Sequence, residues 1–255
     1  MDNKQIANRK SGDVALDRQW RLMNEALARL DRANVKQASN SGRLIFALDL
    51  TGSREHSLYQ ARIATAAMLD TIKAIGAVAV KLIYYRGSRE CRASPWHDDP
   101  GILSHSMRRI SCETGETQIA RVLRLALAEE EKISGVVFIG DHCEDDPARL
   151  RELAQALGQR SIPLFVFHEC ADHDGRSLEA KPVFKSMAAA SGGVYVEFKP
   201  DSGAVLREML SNIAAFSAAG VEGVKRVAVP KTLPAQQLQG RLLLLGPGTN
   251  INHSK

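Results

Sequence analysis

The chain has 255 residues, of which 44% are hydrophobic and 25% are charged. These ordinary values exclude wholesale disorder and allow one large α/β domain with appendages. The formal net charge of +5 comes from scattered Lys and Arg residues, without the basic stripe and interleaved aromatics typical of nucleic-acid binding, so the sequence does not favour a nucleic-acid partner.

The sequence lacks the patterns that export or anchor a protein. Its first residues have no apolar core of the signal-peptide type, and its aliphatic run at Leu242 to Leu245 is far shorter than the roughly 20 residues that span a bilayer. The four cysteines are too few for a disulfide scaffold, and we expect them to be reduced thiols. We therefore expect a cytoplasmic protein without a membrane span.

The first predicted element is an amphipathic helix near the N-terminus. Residues 14–35 place apolar side chains, among them Trp20 and Leu27, at mostly three- and four-residue spacings between charged residues. The polar stretch at 39–42 then ends the helix. We interpret residues 1–42 as a helical arm that packs on the following domain or docks on another protein.

Residues 43–220 alternate short apolar runs with helical patterns. Strands are predicted at 44–48, 77–85, 90–92, 135–140, 162–167 and 194–198. Helices are predicted at 58–75, 102–107, 117–131, 147–157, 184–190 and 204–216. This alternation predicts an α/β fold with a doubly wound, mainly parallel central sheet and helices on both faces. In such sheets, ligands bind at the carboxyl ends of the strands.

The regular pattern weakens after Gly220. Pro230, Pro234 and a Gln-rich stretch precede the aliphatic run at 242–245 and a polar end. We predict a mostly irregular tail over residues 221–255, whose aliphatic run packs back on the domain or joins a partner.

Oxygen-bearing side chains follow the first predicted strand at alternate positions. Asp49, Thr51 and Ser53 come directly after the apolar run at 44–48, with Gly52 as a turn residue. Residues two apart on an extended chain point to the same side, so one carboxylate and two hydroxyls can converge on one ion. Such ligands suit Mg²⁺ or Mn²⁺ rather than a soft metal.

Two later segments place further oxygen ligands where such a site would need them. Asp141 follows the strand at 135–140, and the Gly-containing segment at 113–117 ends in Thr117, ahead of a helix. Both positions suit a ligand site at the carboxyl edge of an open parallel sheet.

In these three segments the chain resembles the von Willebrand factor type A (VWA) family. The metal-ion-dependent adhesion site (MIDAS) of that family combines an Asp-x-Ser/Thr-x-Ser loop, a Thr in a Gly-containing loop and an Asp after the fourth strand. The resemblance covers about residues 43–220 and includes Ser191-Gly-Gly-Val-Tyr195, which is similar to the segment before the family's final strand. It implies a partner protein that presents a carboxylate to one divalent cation, held by Asp49, Thr51, Ser53, Thr117 and Asp141.

The chain departs from the family pattern at two strand ends. His142 follows Asp141 where the family usually has Gly, and His168-Glu169-Cys170 stands where small residues are common. The side chains that could approach one another beyond neighbouring strands are His142, Cys143, His168, Cys170 and His173. Their spacing matches no familiar zinc pattern, and surface or loop-packing roles are the alternative.

Three other interpretations are compatible with these residues. Asp49 and Ser53 could cap a turn and the following helix without binding a metal. Asp49 could be the nucleophile of a haloacid-dehalogenase-like phosphatase, but Thr51 occupies the position of the second carboxylate that this chemistry needs. The metal site could also be vestigial in a scaffold that binds through its arm and tail. We expect a non-enzymatic, metal-dependent interaction module, which the resemblance places within a larger intracellular assembly.

Overall fold

The computed structural model describes residues 42–54, 78–99, 102–103, 111–170, 174–199 and 203–245. The chain divides into two units between Ser39 and Asn40, and the description below concerns the second unit. Several sequence predictions lie outside the described residues, namely the arm except Gly42, the helix at 58–75, most of the helix at 102–107, His173 and the polar end after Leu245.

Six strands form one sheet with the order β3-β2-β1-β4-β5-β6. They are β1 (Gly42–Asp49), β2 (Val78–Arg86), β3 (Glu90–Ala93), β4 (Gly135–Gly140), β5 (Leu164–Glu169) and β6 (Tyr195–Phe198). Of the described strands, β3 alone runs antiparallel to its neighbour. The strand order reverses between β1 and β4, so the crevice expected to bind ligands lies at their carboxyl ends.

The central strand β1 is covered on both faces. Residues 44–48 form an uninterrupted apolar run and are all buried, as expected for a parallel strand inside an α/β fold. Ile45 and Ala47 join Phe138 of β4 and the buried residues of three helices in one hydrophobic core. Alternate residues point the other way, toward the face on which the long helix 203–226 packs.

Five helices of more than one turn lie within the described residues. They are α1 (Ile119–Leu127), α2 (Pro147–Gln159), α3 (Gly175–Ala190), α4 (Gly203–Arg226) and α5 (Leu233–Leu244). Helix α2 begins with Pro147 after Asp146, whose side chain accepts a hydrogen bond from the Ala148 amide at 3.1 Å. In the described ranges, no helix has both the length and the apolar character needed to cross a membrane. The predicted α/β fold, with a mainly parallel sheet, is confirmed.

The prediction of a mostly irregular tail is wrong for much of 221–245. Helix α4 extends past its predicted end at 216 and is interrupted at Ala219 and Gly220, where the φ angle of Gly220 is +60°. Helix α5 then follows, and it buries Ala235, Leu238 and Leu242 against the rest of the domain. Pro234 and the Gln-rich stretch obscured this helical spacing, although proline is well tolerated in the first turn of a helix.

Glu208 of α4 holds the start of α5. Its carboxylate accepts hydrogen bonds from the amides of Lys231 and Thr232, at 3.2 and 3.0 Å, and from the Thr232 hydroxyl at 2.7 Å. Thr232 is the N-cap residue of α5, and its side chain caps no amide among the described residues. Partial burial raises the pKa of Glu208, but the hydrogen bonds from Thr232 and Lys231 outweigh it and lower the pKa below the usual 4.5.

Replacing Glu208 with Gln is expected to lower the free energy of unfolding by about 1 kcal/mol at neutral pH, because charge-assisted hydrogen bonds are lost. The folded-state pKa of Glu208 is depressed, so its contribution is complete above the unfolded-state value near 4.5 and disappears as the pH falls through the folded value. Urea unfolding of both proteins should therefore show a difference that shrinks in acid. A difference that is independent of pH would contradict this role.

Candidate metal centre

The first and third predicted ligand segments meet at the carboxyl edge of the sheet. Asp49 ends β1, and the preceding Leu48 pairs with Ile139 of β4. Asp141 directly follows β4, and a methyl group built on Gly140 would lie 3.5 Å from the Cβ of Asp49. The two carboxylates therefore emerge from adjacent strand ends, at the point where the strand order reverses.

The first loop is organised around the carboxylate of Asp49. Its Oδ1 accepts hydrogen bonds from the Thr51 amide at 2.8 Å and from the Thr51 hydroxyl at 2.7 Å. The hydroxyl oxygens of Thr51 and Ser53 are 3.2 Å apart. Asp49 and Thr51 are buried, whereas Ser53 is exposed in a short 3-10 turn. The structure thus brings these three side chains together, with Ser53 next to solvent.

Backbone pairing fixes the second loop, 113–117, against the first. The Glu113 amide donates to the Leu50 carbonyl at 3.0 Å, and the Gly87 amide donates to the Glu113 carbonyl at 3.1 Å. A methyl group on Gly115 would lie 2.1 Å from backbone atoms of Gly87, so only glycine permits this close approach. The close approach of the Gly87 backbone therefore explains why the second loop contains glycine at position 115.

Thr117 connects the second loop to the loop after β4. Its hydroxyl accepts a hydrogen bond from the Glu144 amide at 2.8 Å and donates one to Asp145 at 3.1 Å, which leaves one lone pair for an ion. Asp145 also accepts from the amides of Ile119 and Ala120 at the start of α1. Sequence analysis did not assign Asp145 to the site, because its partners are 25 to 28 residues away along the chain.

Negative charge is concentrated around the buried hydroxyl of Tyr85. Burial raises the pKa of Tyr85 well above its usual value of 10, and the charges of Asp49, Asp141 and Asp145 raise it further. Asp141 is itself 7% exposed, and its Oδ1 has no hydrogen-bond partner among the described residues. Buried carboxylates in this arrangement are costly unless a cation compensates their charge.

The donor set fits a hard divalent cation. Two carboxylates and several neutral hydroxyl oxygens are ligands that suit Mg²⁺ and Mn²⁺, and their limited charge leaves the ion able to bind another anionic oxygen. Among the described residues, no group of three or more His, Cys, Asp and Glu side chains is arranged to hold a metal. A zinc centre built from the histidines and cysteines after β4 and β5 therefore finds no support there.

The four of these side chains that the structure describes, His142, Cys143, His168 and Cys170, contact neighbouring residues of the domain. His142 forms a hydrogen bond with Asp174, the N-cap residue of α3. His168 is buried, and burial lowers its pKa. Cys143 and Cys170 are half-buried. Burial raises the pKa of both thiols, to about 12 for Cys143, so both are protonated at neutral pH in the metal-free protein.

The fold has counterparts among solved structures, although no protein-family model and no curated protein matches the sequence. A von Willebrand factor type A protein from Catenulispora acidiphila is similar with a TM-score of 0.56 and 16% identity, over 70% of this chain and 43% of that one. The chain has the VWA fold. The match to the Catenulispora acidiphila protein spans less than half of that protein's length.

Two further solved structures are similar to this chain. The pilus adhesin SpaC from Lactobacillus rhamnosus GG is similar with a TM-score of 0.57 and 11% identity, over 71% of this chain and 31% of that one. The SpRpn10 VWA domain is similar with a TM-score of 0.52 and 13% identity, over 68% and 95%. At these identities the likeness establishes the VWA fold of the present chain and leaves its site to be argued from its own residues.

Proposed function

We propose that this VWA-fold chain is a metal-dependent protein-interaction module. Its ion, Mg²⁺ or Mn²⁺, is held by Asp49, Thr51, Ser53, Thr117 and Asp141 and binds a carboxylate of a partner protein. The observation that carries the proposal is the adjacency of two buried carboxylates, Asp49 and Asp141, one of which has an oxygen without a hydrogen-bond partner among the described residues.

Each ligand has a distinct part in this proposal. Asp49 and Asp141 supply the negative charge that attracts the cation. The hydroxyls of Thr51, Ser53 and Thr117 add neutral oxygens, so the bound ion keeps net positive charge for an anionic group of the partner. Ser53 is the exposed member of the set and marks the side from which that group arrives.

The structural neighbours support an interaction role, since one of them is a pilus adhesin. They do not decide the compartment, and the cytoplasmic location stays a prediction.

The geometry around Asp49 does not favour the phosphatase alternative. Thr51 stands where a general acid would be needed, and its hydroxyl donates a hydrogen bond to one of the two carboxylate oxygens of Asp49.

A partner captured by the immobilised full chain is expected to be retained in Mg²⁺ and released by a chelator. Asp141→Asn should abolish retention, because it removes one of two charged ligands. Asp146→Asn is the matched control, since Asp146 is exposed, caps α2, and can be replaced there by Asn with little loss.

The purified partner is then tested with its acidic residues replaced one at a time by the corresponding amides. One such replacement should reproduce the effect of the chelator. Retention that is equal in Mg²⁺ and chelator, and unchanged in Asp141→Asn, would contradict the proposal and indicate a scaffold with a vestigial site.

A further inference from the structure

His168, at the end of β5, is a fully buried polar residue beside the candidate metal centre. It pairs with Gly140 across the sheet, so it lies next to the residue that precedes Asp141. Its ring packs edge-on against Phe184 of α3, with 4.9 Å between the ring centroids. A buried imidazole needs hydrogen-bond partners for both nitrogens, and those partners indicate what the side chain does.

Both imidazole nitrogens of His168 are engaged. Nε2 lies 3.1 Å from the main-chain carbonyl oxygen of Asp141 and 2.9 Å from the Ser177 hydroxyl, while Nδ1 lies 2.8 Å from the Tyr195 hydroxyl. A carbonyl oxygen can only accept, so Nε2 carries the proton and Nδ1 accepts from Tyr195. The Ser177 hydroxyl in turn donates to the Glu169 carbonyl at 3.1 Å. The Nε2 proton is then shared between the Asp141 carbonyl and the Ser177 hydroxyl, and Glu197 is a second acceptor for the Tyr195 hydroxyl.

The contacts of His168 link two other elements, α3 and β6, to the loop after β4 that carries Asp141. Ser177 belongs to α3 and Tyr195 to β6. Their hydroxyls contact Nε2 and Nδ1 of the imidazole, and these contacts fix the ring that also contacts the Asp141 carbonyl. Main-chain position determines where a carboxylate on the same residue points. Hydrogen-bonded groups behind metal ligands restrict ligand orientation in this way and strongly affect metal affinity.

We propose that His168 is a positioning residue for the metal site. By donating from Nε2 to the carbonyl of Asp141, it fixes the loop after β4 so that the Asp141 carboxylate faces the ion. This inference rests on the proposed metal site and adds a residue that contacts no ion itself. A histidine that merely fills space would contribute to stability and leave metal affinity unchanged.

The test measures Mn²⁺ affinity of the full chain by calorimetry, together with thermal unfolding in chelator. His168→Leu removes the donor and should weaken Mn²⁺ binding about ten- to hundredfold. His168→Gln can place an N–H near the position of Nε2 and should recover most of that loss. Phe184→Leu is the packing control, because it alters the contact with the ring without removing a hydrogen bond, and it should lower the unfolding temperature alone.

Unchanged Mn²⁺ affinity in His168→Leu would overturn the inference, and so would equal losses in the Gln and Leu variants. If the Leu variant fails to fold, Ser177→Ala and Tyr195→Phe each remove one of the supporting hydrogen bonds. Several-fold weaker Mn²⁺ binding by these two variants supports the inference, whereas wild-type affinity in both overturns it. Failure of the wild-type protein to bind Mn²⁺ would instead refute the proposed metal site itself.

Discussion

Asp49→Asn is expected to weaken Mg²⁺ binding by about a hundredfold or more and, in the absence of metal, to make the protein more stable. The metal-free protein holds the buried carboxylates of Asp49 and Asp141 at adjacent strand ends, and their charges repel each other in a site shielded from water. Neutralising one of them relieves that repulsion. The gain in the free energy of unfolding should be about 1 kcal/mol, as is typical where function opposes stability.

The same substitution removes one of two charged metal ligands. Changes to groups behind a metal ligand weaken binding about ten- to hundredfold, so loss of a charged ligand should weaken it by about a hundredfold or more. Asparagine still offers a carbonyl oxygen to the Thr51 amide and hydroxyl, which bond to Asp49 at 2.8 and 2.7 Å. The first loop should therefore keep its shape while the ion is lost.

Thermal unfolding with and without Mg²⁺ separates the possible roles of Asp49. A metal ligand predicts a wild-type unfolding temperature that rises with Mg²⁺ and an Asp49→Asn protein that is more stable in chelator and does not respond to Mg²⁺. Asp146→Asn makes the same change in charge outside the site and should retain the wild-type response. If Asp49 were only a turn cap, the wild-type protein would not respond to Mg²⁺ and the Asn variant would keep about the wild-type stability, because Asn caps as well as Asp.

Gly193→Ala is expected to destabilise the protein by about 3 kcal/mol or more. A methyl group at this position would lie 2.1 Å from the carbonyl oxygen of Leu164 and 2.6 Å from its carbonyl carbon. Both atoms belong to the backbone where β5 begins, so no side-chain rotation can relieve the clash. Residues 192–194 would have to move away, which would strain the hydrogen bond from the Val166 amide to the Val194 carbonyl at 2.9 Å.

Gly192→Ala provides the matched control for the adjacent position. Gly192 has a φ of +71°, but a methyl group there meets no atom of the described chain within 4 Å. Its substitution should therefore cost only the backbone strain of a left-handed alanine, about 1 kcal/mol. Chemical denaturation of the two variants measures the difference. Equal losses would show that the approach of Gly193 to β5 is not the constraint described here.

The strands were predictable because each buried strand corresponds to a short run of mostly apolar residues. Residues 135–140 form a continuous apolar run, and the strand occupies that range without adjustment. The convergence of Asp49 and Asp141 was also foreseeable, since parallel strands bring their carboxyl ends to one edge. Helix α5 was missed because its three buried residues are separated by Gln and Gly and follow a proline, which leaves only a weak periodic signal.

The polar contacts that support the site could not be predicted from local pattern. Asp145 binds amides on α1, and His168 binds Tyr195, which is 27 residues further along the chain. A polar residue at the end of a strand can face solvent or the interior, and only the order of β4, β5 and β6 decides that His168 is buried. Such contacts depend on which strands are neighbours, and this information is absent from any short segment.

The most direct measurement is anomalous diffraction from crystals grown with Mn²⁺. The proposed site predicts one strong anomalous peak between Asp49, Ser53 and Asp141, with Mg²⁺ in the same position at metal–oxygen distances of about 2.0 to 2.1 Å. Loss of that peak in Asp49→Asn crystals grown under the same conditions would confirm the assignment. Absence of a peak at saturating Mn²⁺, or a peak that contacts neither Asp49 nor Asp141, would contradict it.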